Sequence, residues 1–147
     1  MATIRDLLRV KGNQVWGISP NTTVLETLQV MEDKDVGALL VLEGDHIAGI
    51  ISERDFVRSI AITGRCVLNT TVLEYMTKKV FTIDPDQSID DCMQLMTRER
   101  IRHLPVVEDG KLVGLISIGD LVKELISSKE LEIDNLENYI EGRGYGH

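Results

Sequence analysis

The sequence has 147 residues, of which 43% are hydrophobic and 27% charged, the balance of an ordinary soluble globular protein with a buried core. Its net charge is −8 and no run of Lys and Arg concentrates positive charge, which argues against DNA or RNA as a partner. The N-terminus lacks the apolar segment of a secretory signal, and no apolar run is long enough to cross a bilayer. We therefore expect a cytoplasmic protein that does not enter membranes.

The chain contains one internal repeat. Residues 15–60 align with residues 80–125 without a gap. The alignment pairs Pro20 with Pro85, Met31 with Met96, Gly49 with Gly114 and Asp55 with Asp120. Residues 4–8, before the first copy, and residues 72–76, before the second, both read as short helices that lead into a repeat.

Each copy begins with a short apolar strand that ends in proline, followed by a helix start. Thr23-x-x-Glu26 is a capping box and Ser88-x-x-Asp91 resembles one. Apolar residues then recur at helical spacing and predict one buried stripe on each helix. These residues are Val24, Leu28 and Met31 in the first copy and Ile89, Met93 and Met96 in the second.

Two strands follow the helix in each copy, at residues 38–42 and 47–51 and at residues 103–107 and 112–116. Gly and Asp lie between the paired strands, where a hairpin turn needs residues that tolerate positive φ. Pro105 cannot donate a hydrogen bond to a neighbouring strand. We therefore expect its strand to lie near a sheet edge or to break there.

After its second hairpin strand each copy passes through Ser-x-x-Asp into an amphipathic helix, at residues 56–61 and 121–126. Each unit is thus β-α-β-β-α, and a unit of this size cannot bury enough apolar surface to fold alone. We predict an α/β (α+β) fold in which two units pack about an approximate two-fold axis. The units span residues 8–66 and 72–130, and residues 131–147 form a helical or flexible tail.

The two cysteines, Cys66 and Cys92, show no metal-binding spacing and have no Cys/His cluster nearby. Neither a disulfide scaffold nor a zinc site is expected, and we predict that both thiols are buried and inert. The acidic residues lack the spacing of a calcium loop, so no metal site is predicted.

The sharpest feature that both copies share is a strand that ends in Ser, with Asp three residues later at a helix start. These residues are Ser52 and Asp55 in the first copy and Ser117 and Asp120 in the second. A helix N-terminus attracts an anion, Ser adds a hydroxyl donor, and a carboxylate can accept from both hydroxyls of a ribose. Nucleotides carry both groups. The alternative is that Ser and Asp only cap their helices.

The whole pattern resembles a tandem pair of CBS domains. The resemblance covers about residues 8–127 and rests on residues 36–41 and 101–107, the hairpins, and the two Gly-x-x-Ser-x-x-Asp endings. It implies a regulatory module without catalysis or catalytic cofactor, whose clefts between the copies bind an adenine nucleotide. AMP is the expected ligand, with ADP, ATP, NAD and S-adenosylmethionine as alternatives. It also implies a homodimer of CBS pairs that acts on a regulated enzyme or transporter.

The resemblance assigns roles to particular positions. The two aspartates would hold ribose hydroxyls, and the two serines would assist at ribose or phosphate. Backbone groups near Asn13 and Lys78 would read adenine, Val36 and Ile101 would pack against it, and Pro105 would form a wall. The implied ligand-binding residues are Asn13, Val36, Ser52, Arg54, Asp55, Lys78, Ile101, Arg102, His103, Pro105, Ser117 and Asp120.

The copies differ where phosphate is expected, because Arg102 and His103 of the second copy correspond to Gly-Ala in the first. We hypothesise that the two-fold packing brings Arg54 and Arg102 towards one phosphate; the alternative is that each is a solvated surface arginine. His103 is interpreted as a phosphate donor or a strand residue, not as a general base.

Two other functions remain open at this point. The first is a dimerisation or scaffold domain whose clefts are vestigial, and the second is a nucleotide-hydrolysing enzyme. Hydrolysis is the weaker alternative because no base and nucleophile pair is recognisable in the sequence.

Overall fold

The computed structural model describes residues 2–128, so the tail predicted at residues 131–147 lies outside the described residues. The helices are α1 (Ile4–Lys11), α2 (Val24–Lys34), α3 (Glu53–Thr63), α4 (Ile89–Glu99) and α5 (residues 118–128), with a short 3-10 helix at Val72–Glu74. The strands are β1 (Gly17–Ile18), β2 (Ala38–Glu43), β3 (His46–Ser52), β4 (His103–Glu108) and β5 (Lys111–Ser117). Among the described residues, no helix is both long and apolar enough to span a membrane.

Capping side chains fix where the helices begin. Thr3, Thr23 and Ser52 each form a capping box with the acidic residue three positions later. The side chain of Ser88 accepts a hydrogen bond from the amide of Asp91. The capping box predicted at the start of α2 is therefore confirmed, and α3 begins in the same way.

Each unit contains one antiparallel hairpin. β2 pairs with β3, and β4 pairs with β5, with Ala38 opposite Ser52 and His103 opposite Ser117. In the first unit β1 adds in parallel beside β2. In the second unit the corresponding strand is reduced to one parallel bridge, from Ile83 to Val106.

Pro105 contributes to this difference between the units. It occupies the position that Leu40 holds in the first unit, where the Leu40 amide donates to the carbonyl of Trp16 at 3.4 Å. Proline has no N–H, so this hydrogen bond to the first strand cannot form. β4 continues unbroken through Pro105 and lies at an edge of its two-stranded sheet, as predicted. In the described part of the chain, the Ile83 bridge is all that lies beyond it.

The segment that precedes each unit in the chain packs into the core of the other unit. α1 precedes the first unit, yet Ile4 and Leu7 are buried in the core of the second. The 3-10 helix precedes the second unit, yet Val72 is buried in the core of the first. Backbone hydrogen bonds hold both segments, from the Ile4 amide to Gln87 at 3.0 Å and from the Val72 amide to Thr22 at 2.8 Å. The two units therefore form one domain, and an approximate two-fold axis relates one unit to the other.

The two cysteines differ in exposure. Cys92 is buried in α4, and desolvation, with a smaller effect of Asp91, raises the pKa of its thiol to about 11. Cys66 is exposed on the segment that joins the two units. The prediction of two buried thiols is wrong for Cys66, because that connecting segment runs over the surface.

Candidate functional site

A cavity of about 650 Å³ lies between the two units, at the N-terminal end of α3. The first unit contributes mainly the end of β3 and the start of α3, and the second contributes residues 99–103, Thr77 and residues 79–81. Six of the expected site residues line it, namely Ser52, Arg54, Asp55, Ile101, Arg102 and His103. The structure thus brings Arg54 and Arg102, from different units, to the same cavity.

The lining of the cavity combines three kinds of side chain. The basic ones are Arg54, Arg58, Lys79, Arg100 and Arg102; the acidic ones are Glu53, Asp55 and Glu99; the apolar ones include Ile50, Val80, Phe81 and Ile101. The chain as a whole carries a net charge of −8. In this cavity, however, basic side chains outnumber acidic ones, which creates a favourable position for an anion. The apolar side chains offer a surface against which a flat ring can pack.

Asp55 is both a helix cap and a lining residue of the cavity. One carboxylate oxygen, Oδ2, accepts hydrogen bonds from the Ser52 amide at 2.8 Å and the Ser52 hydroxyl at 3.1 Å. The other, Oδ1, accepts from the hydroxyl of Thr77 at 3.2 Å. The capping interpretation is therefore correct for one oxygen. Within residues 2–128, the second oxygen is held by a neutral hydroxyl alone, which a hydroxyl of a ligand can replace.

Asp120 holds the same position in α5 but has different surroundings. Its Oδ2 accepts from the Ser117 amide at 2.8 Å and from the Lys11 ammonium at 2.7 Å. Burial alone raises the pKa of Asp120, but the hydrogen bonds from Lys11 and Ser117 outweigh it and hold this pKa below its ordinary value. This carboxylate is thus already paired with a full positive charge.

A sequence profile of the CBS domain matches residues 4–62 and residues 72–127, which together make up most of the chain. The chain belongs to the CBS-domain family. The two matches correspond to the two units, so each unit is one CBS repeat and the chain is a CBS pair.

Several relatives support this assignment. The mitochondrial CBS domain-containing protein CBSX3 of Arabidopsis thaliana is 38% identical over 152 residues, which cover 97% of this chain and 73% of the relative. A solved CBS-domain structure from Burkholderia ambifaria is 46% identical, with a TM-score of 0.81 over 86% of this chain and 95% of that one. The CBS-domain protein of Agrobacterium tumefaciens is 36% identical, with a TM-score of 0.80 over 84% and 98%. The predicted family and fold are confirmed, whereas the cytoplasmic location stays a prediction.

The other expected site residues do not line the large cavity. Lys78 lines a smaller cavity of about 310 Å³, together with His46 and Thr82. Pro105 is buried within β4 of the second CBS repeat. The remaining four are Asn13, Val36, Ser117 and Asp120, which are also absent from the lining of the large cavity.

The sequence did not predict six polar lining residues, namely Glu53, Arg58, Thr77, Lys79, Glu99 and Arg100, or the ion pair of Lys11 with Asp120. Arg58 follows Arg54 by one helical turn, so the i,i+4 spacing on α3 was a usable signal. Thr77, Lys79 and Arg100 carry no comparable pattern, because they line the cavity only through the packing of one CBS repeat against the other. The ion pair of Lys11 with Asp120 has no local signal for the same reason.

Proposed function

We propose that this CBS pair is a regulatory sensor, without catalysis, that binds an adenine nucleotide in the cavity at the start of α3. The observation that carries the proposal is the meeting of the Asp55 carboxylate, an apolar surface and five basic side chains in one cavity. Its volume of about 650 Å³ suits a small-molecule ligand, since such sites commonly measure about 300–1,000 Å³.

Each part of a nucleotide has a counterpart in this cavity. Asp55 has an oxygen that can accept from a ribose hydroxyl, and Val80 and Ile101 offer apolar contact to adenine. Arg54 and Arg102 supply charged donors for phosphate, which form stronger hydrogen bonds than neutral donors do. We therefore assign the ribose to Asp55 and the phosphate to the two arginines.

AMP is the first nucleotide to test. CBSX2, whose structure was solved in complex with AMP, has the same fold, with 24% identity and a TM-score of 0.70. At that identity the likeness shows the fold alone, so the ligand of this chain has to be established by titration. ADP, ATP, NAD and S-adenosylmethionine complete the panel.

Asp55→Asn is expected to weaken AMP binding ten- to hundredfold, about 1.5–3 kcal/mol, because the ribose loses a charged acceptor. Isothermal titration calorimetry measures the affinity. Asp91→Asn is the matched control, since Asp91 holds the same position at the start of α4 and does not line the cavity. Equal AMP affinity in wild type and in folded Asp55→Asn protein would contradict the ribose assignment.

The same panel separates the sensor from the other two functions. A scaffold with vestigial clefts binds none of the nucleotides, and a hydrolase releases phosphate from ATP or ADP in a product assay. The sensor proposal requires saturable binding with no product.

We also propose that two CBS pairs form a homodimer that reports its ligand state to a regulated enzyme or transporter. Exposed apolar side chains on α3 and α5, among them Val57 and Val122, support this proposal. Ligand binding can change such an arrangement only if the arrangements differ in ligand affinity.

A further inference from the structure

The segment at Thr77 supplies two neutral donors beside Asp55. Its backbone pairs with that of Ile50 across an isolated bridge, with N···O distances of 2.8 and 2.9 Å. Its hydroxyl donates to Asp55 at 3.2 Å. One residue thus satisfies both the β3 backbone and the free oxygen of the capping carboxylate.

Lys11 makes the corresponding two contacts on the other side of the pseudo-two-fold axis. Leu115 and Asp120 are the repeat counterparts of the residues that Thr77 contacts. The Leu115 carbonyl and the Asp120 carboxylate both accept from the Lys11 ammonium, the latter at 2.7 Å. One ammonium group therefore stands in for both the amide and the hydroxyl of Thr77.

Lys11 is held in this place by the helix that carries it. α1 ends at Lys11 and is capped by Gly12, whose φ of 93° suits glycine and whose amide donates to the Leu8 carbonyl at 2.7 Å. Leu8 in turn packs on Gly114, where an added Cβ would lie 2.8 Å from the leucine side chain. The side chains of Lys11 and Asp120 are only 33% and 20% exposed. The pair therefore lies at the surface but is partly shielded from solvent, so salt screens it less than a fully exposed pair.

The two carboxylates differ in what a ribose must displace. At Asp55 a ligand hydroxyl exchanges with the neutral Thr77 hydroxyl at 3.2 Å. At Asp120 it competes with a charge-assisted bond at 2.7 Å, and such bonds are roughly twice as strong as neutral ones. The lowered pKa of Asp120 agrees with a carboxylate that is already stabilised.

We propose that the Lys11 side chain occupies the ribose position beside Asp120 and blocks that cleft. Each chain therefore binds one nucleotide, at Asp55 alone. Lys11 thereby determines which of the two CBS clefts accepts a ligand. This inference rests on the proposed function, because it concerns the number and place of the nucleotides bound.

The test compares the number of AMP molecules bound by wild type and by Lys11→Met, which removes the ammonium but keeps most of the apolar stem. Calorimetry and equilibrium dialysis should give one equivalent per chain for wild type and two for Lys11→Met. Arg9→Met is the matched control, because it removes a cation from the same helix and Arg9 contacts Asp6, not Asp120. That variant should bind one equivalent.

The position of bound AMP is determined from the chemical-shift changes of backbone amides in NMR spectra. In wild type, AMP should shift the Arg54 amide and leave the Gly119 amide unchanged, and in Lys11→Met it should shift both. Two equivalents in wild type, or one in folded Lys11→Met, overturns the inference while the sensor proposal stands. If Lys11→Met does not fold, the wild type still tests the inference, because a second equivalent of AMP or a shifted Gly119 amide would overturn it. No AMP bound by wild type or variant overturns the AMP sensor and this inference together.

Discussion

His103 combines burial with charged neighbours at the start of β4. It lies opposite Ser117 in the hairpin and also lines the cavity between the CBS repeats. Desolvation lowers the pKa of its imidazole, the cations Lys11 and Arg102 lower it further, and Asp120 opposes them. His103 is therefore neutral at pH 7 and contributes no charge to the cavity before a ligand binds.

The pKa shift of His103 predicts how stability changes with pH. The folded-state pKa lies below the ordinary value near 6.5, so the unfolded chain binds more protons between the two values. The free energy of unfolding should therefore fall as the pH decreases from 7 through about 6.5 to the folded pKa. In His103→Gln this part of the loss should disappear.

Urea denaturation of wild type and His103→Gln at pH 7.5, 6 and 5 measures the difference. His46→Gln is the control, because His46 lies exposed at the start of β3, next to the hairpin turn. Asp120 titrates below this pH range and does not interfere. An identical decline in wild type and His103→Gln would refute the assignment.

The exchange of preceding segments makes α1 a structural part of the second CBS repeat. Ile4 and Leu7 enter its core, and Arg5 pairs with Asp86 at 3.1 Å and with Glu108. The surface ion pairs contribute little, so we attribute most of the attachment to the apolar burial. The same helix ends at Lys11, so the anchoring of α1 also fixes the ion pair with Asp120.

Leu7→Ala is expected to lower the free energy of unfolding by about 2–4 kcal/mol, because it removes a 5% exposed leucine from the core. Hydrogen exchange should quicken in β4 and β5 of the second repeat more than in β2 and β3 of the first. Val10→Ala, at a position 85% exposed on the same helix, should change neither stability nor exchange by a measurable amount. A uniform increase in exchange across both repeats would argue against the assignment of α1 to the second core.

The elements were predictable because their signals are local. Helical spacing in Val24, Leu28 and Met31, and turn residues between the hairpin strands, reflect period and backbone conformation over a few residues. The exchange of segments and the ion pair between Lys11 and Asp120 join residues far apart in sequence, so no local pattern encodes them. The cavity was predictable in part, since the internal repeat implied the convergence of two units and of Arg54 and Arg102. It did not imply that Arg58, Lys79 and Arg100 also face the cavity.

Both α3 and α5 expose apolar side chains at helical spacing. Val57 and Ile60 lie one turn apart on α3, and Ile118, Val122 and Ile126 follow each other at intervals of four on α5. Val57 and Val122 are repeat counterparts, so the pseudo-two-fold axis relates one valine of each stripe, whereas Ile118 and Ile126 correspond to Glu53 and Ala61. Paired stripes of this kind mark an interaction surface more strongly than scattered apolar residues do.

The homodimer proposal therefore makes a prediction at the scale of the whole molecule. The double variant Val57→Lys and Val122→Lys should convert a dimer into a monomer, because it places two charges on each partner where apolar surface would be buried. Light scattering after size-exclusion chromatography measures the molecular mass of the wild type and of the double variant. Val10→Lys is the control, since Val10 is more exposed than either valine but lies on α1 and belongs to neither stripe. A monomeric wild type would exclude the dimer, and a dimer that survives the double substitution would place its interface elsewhere.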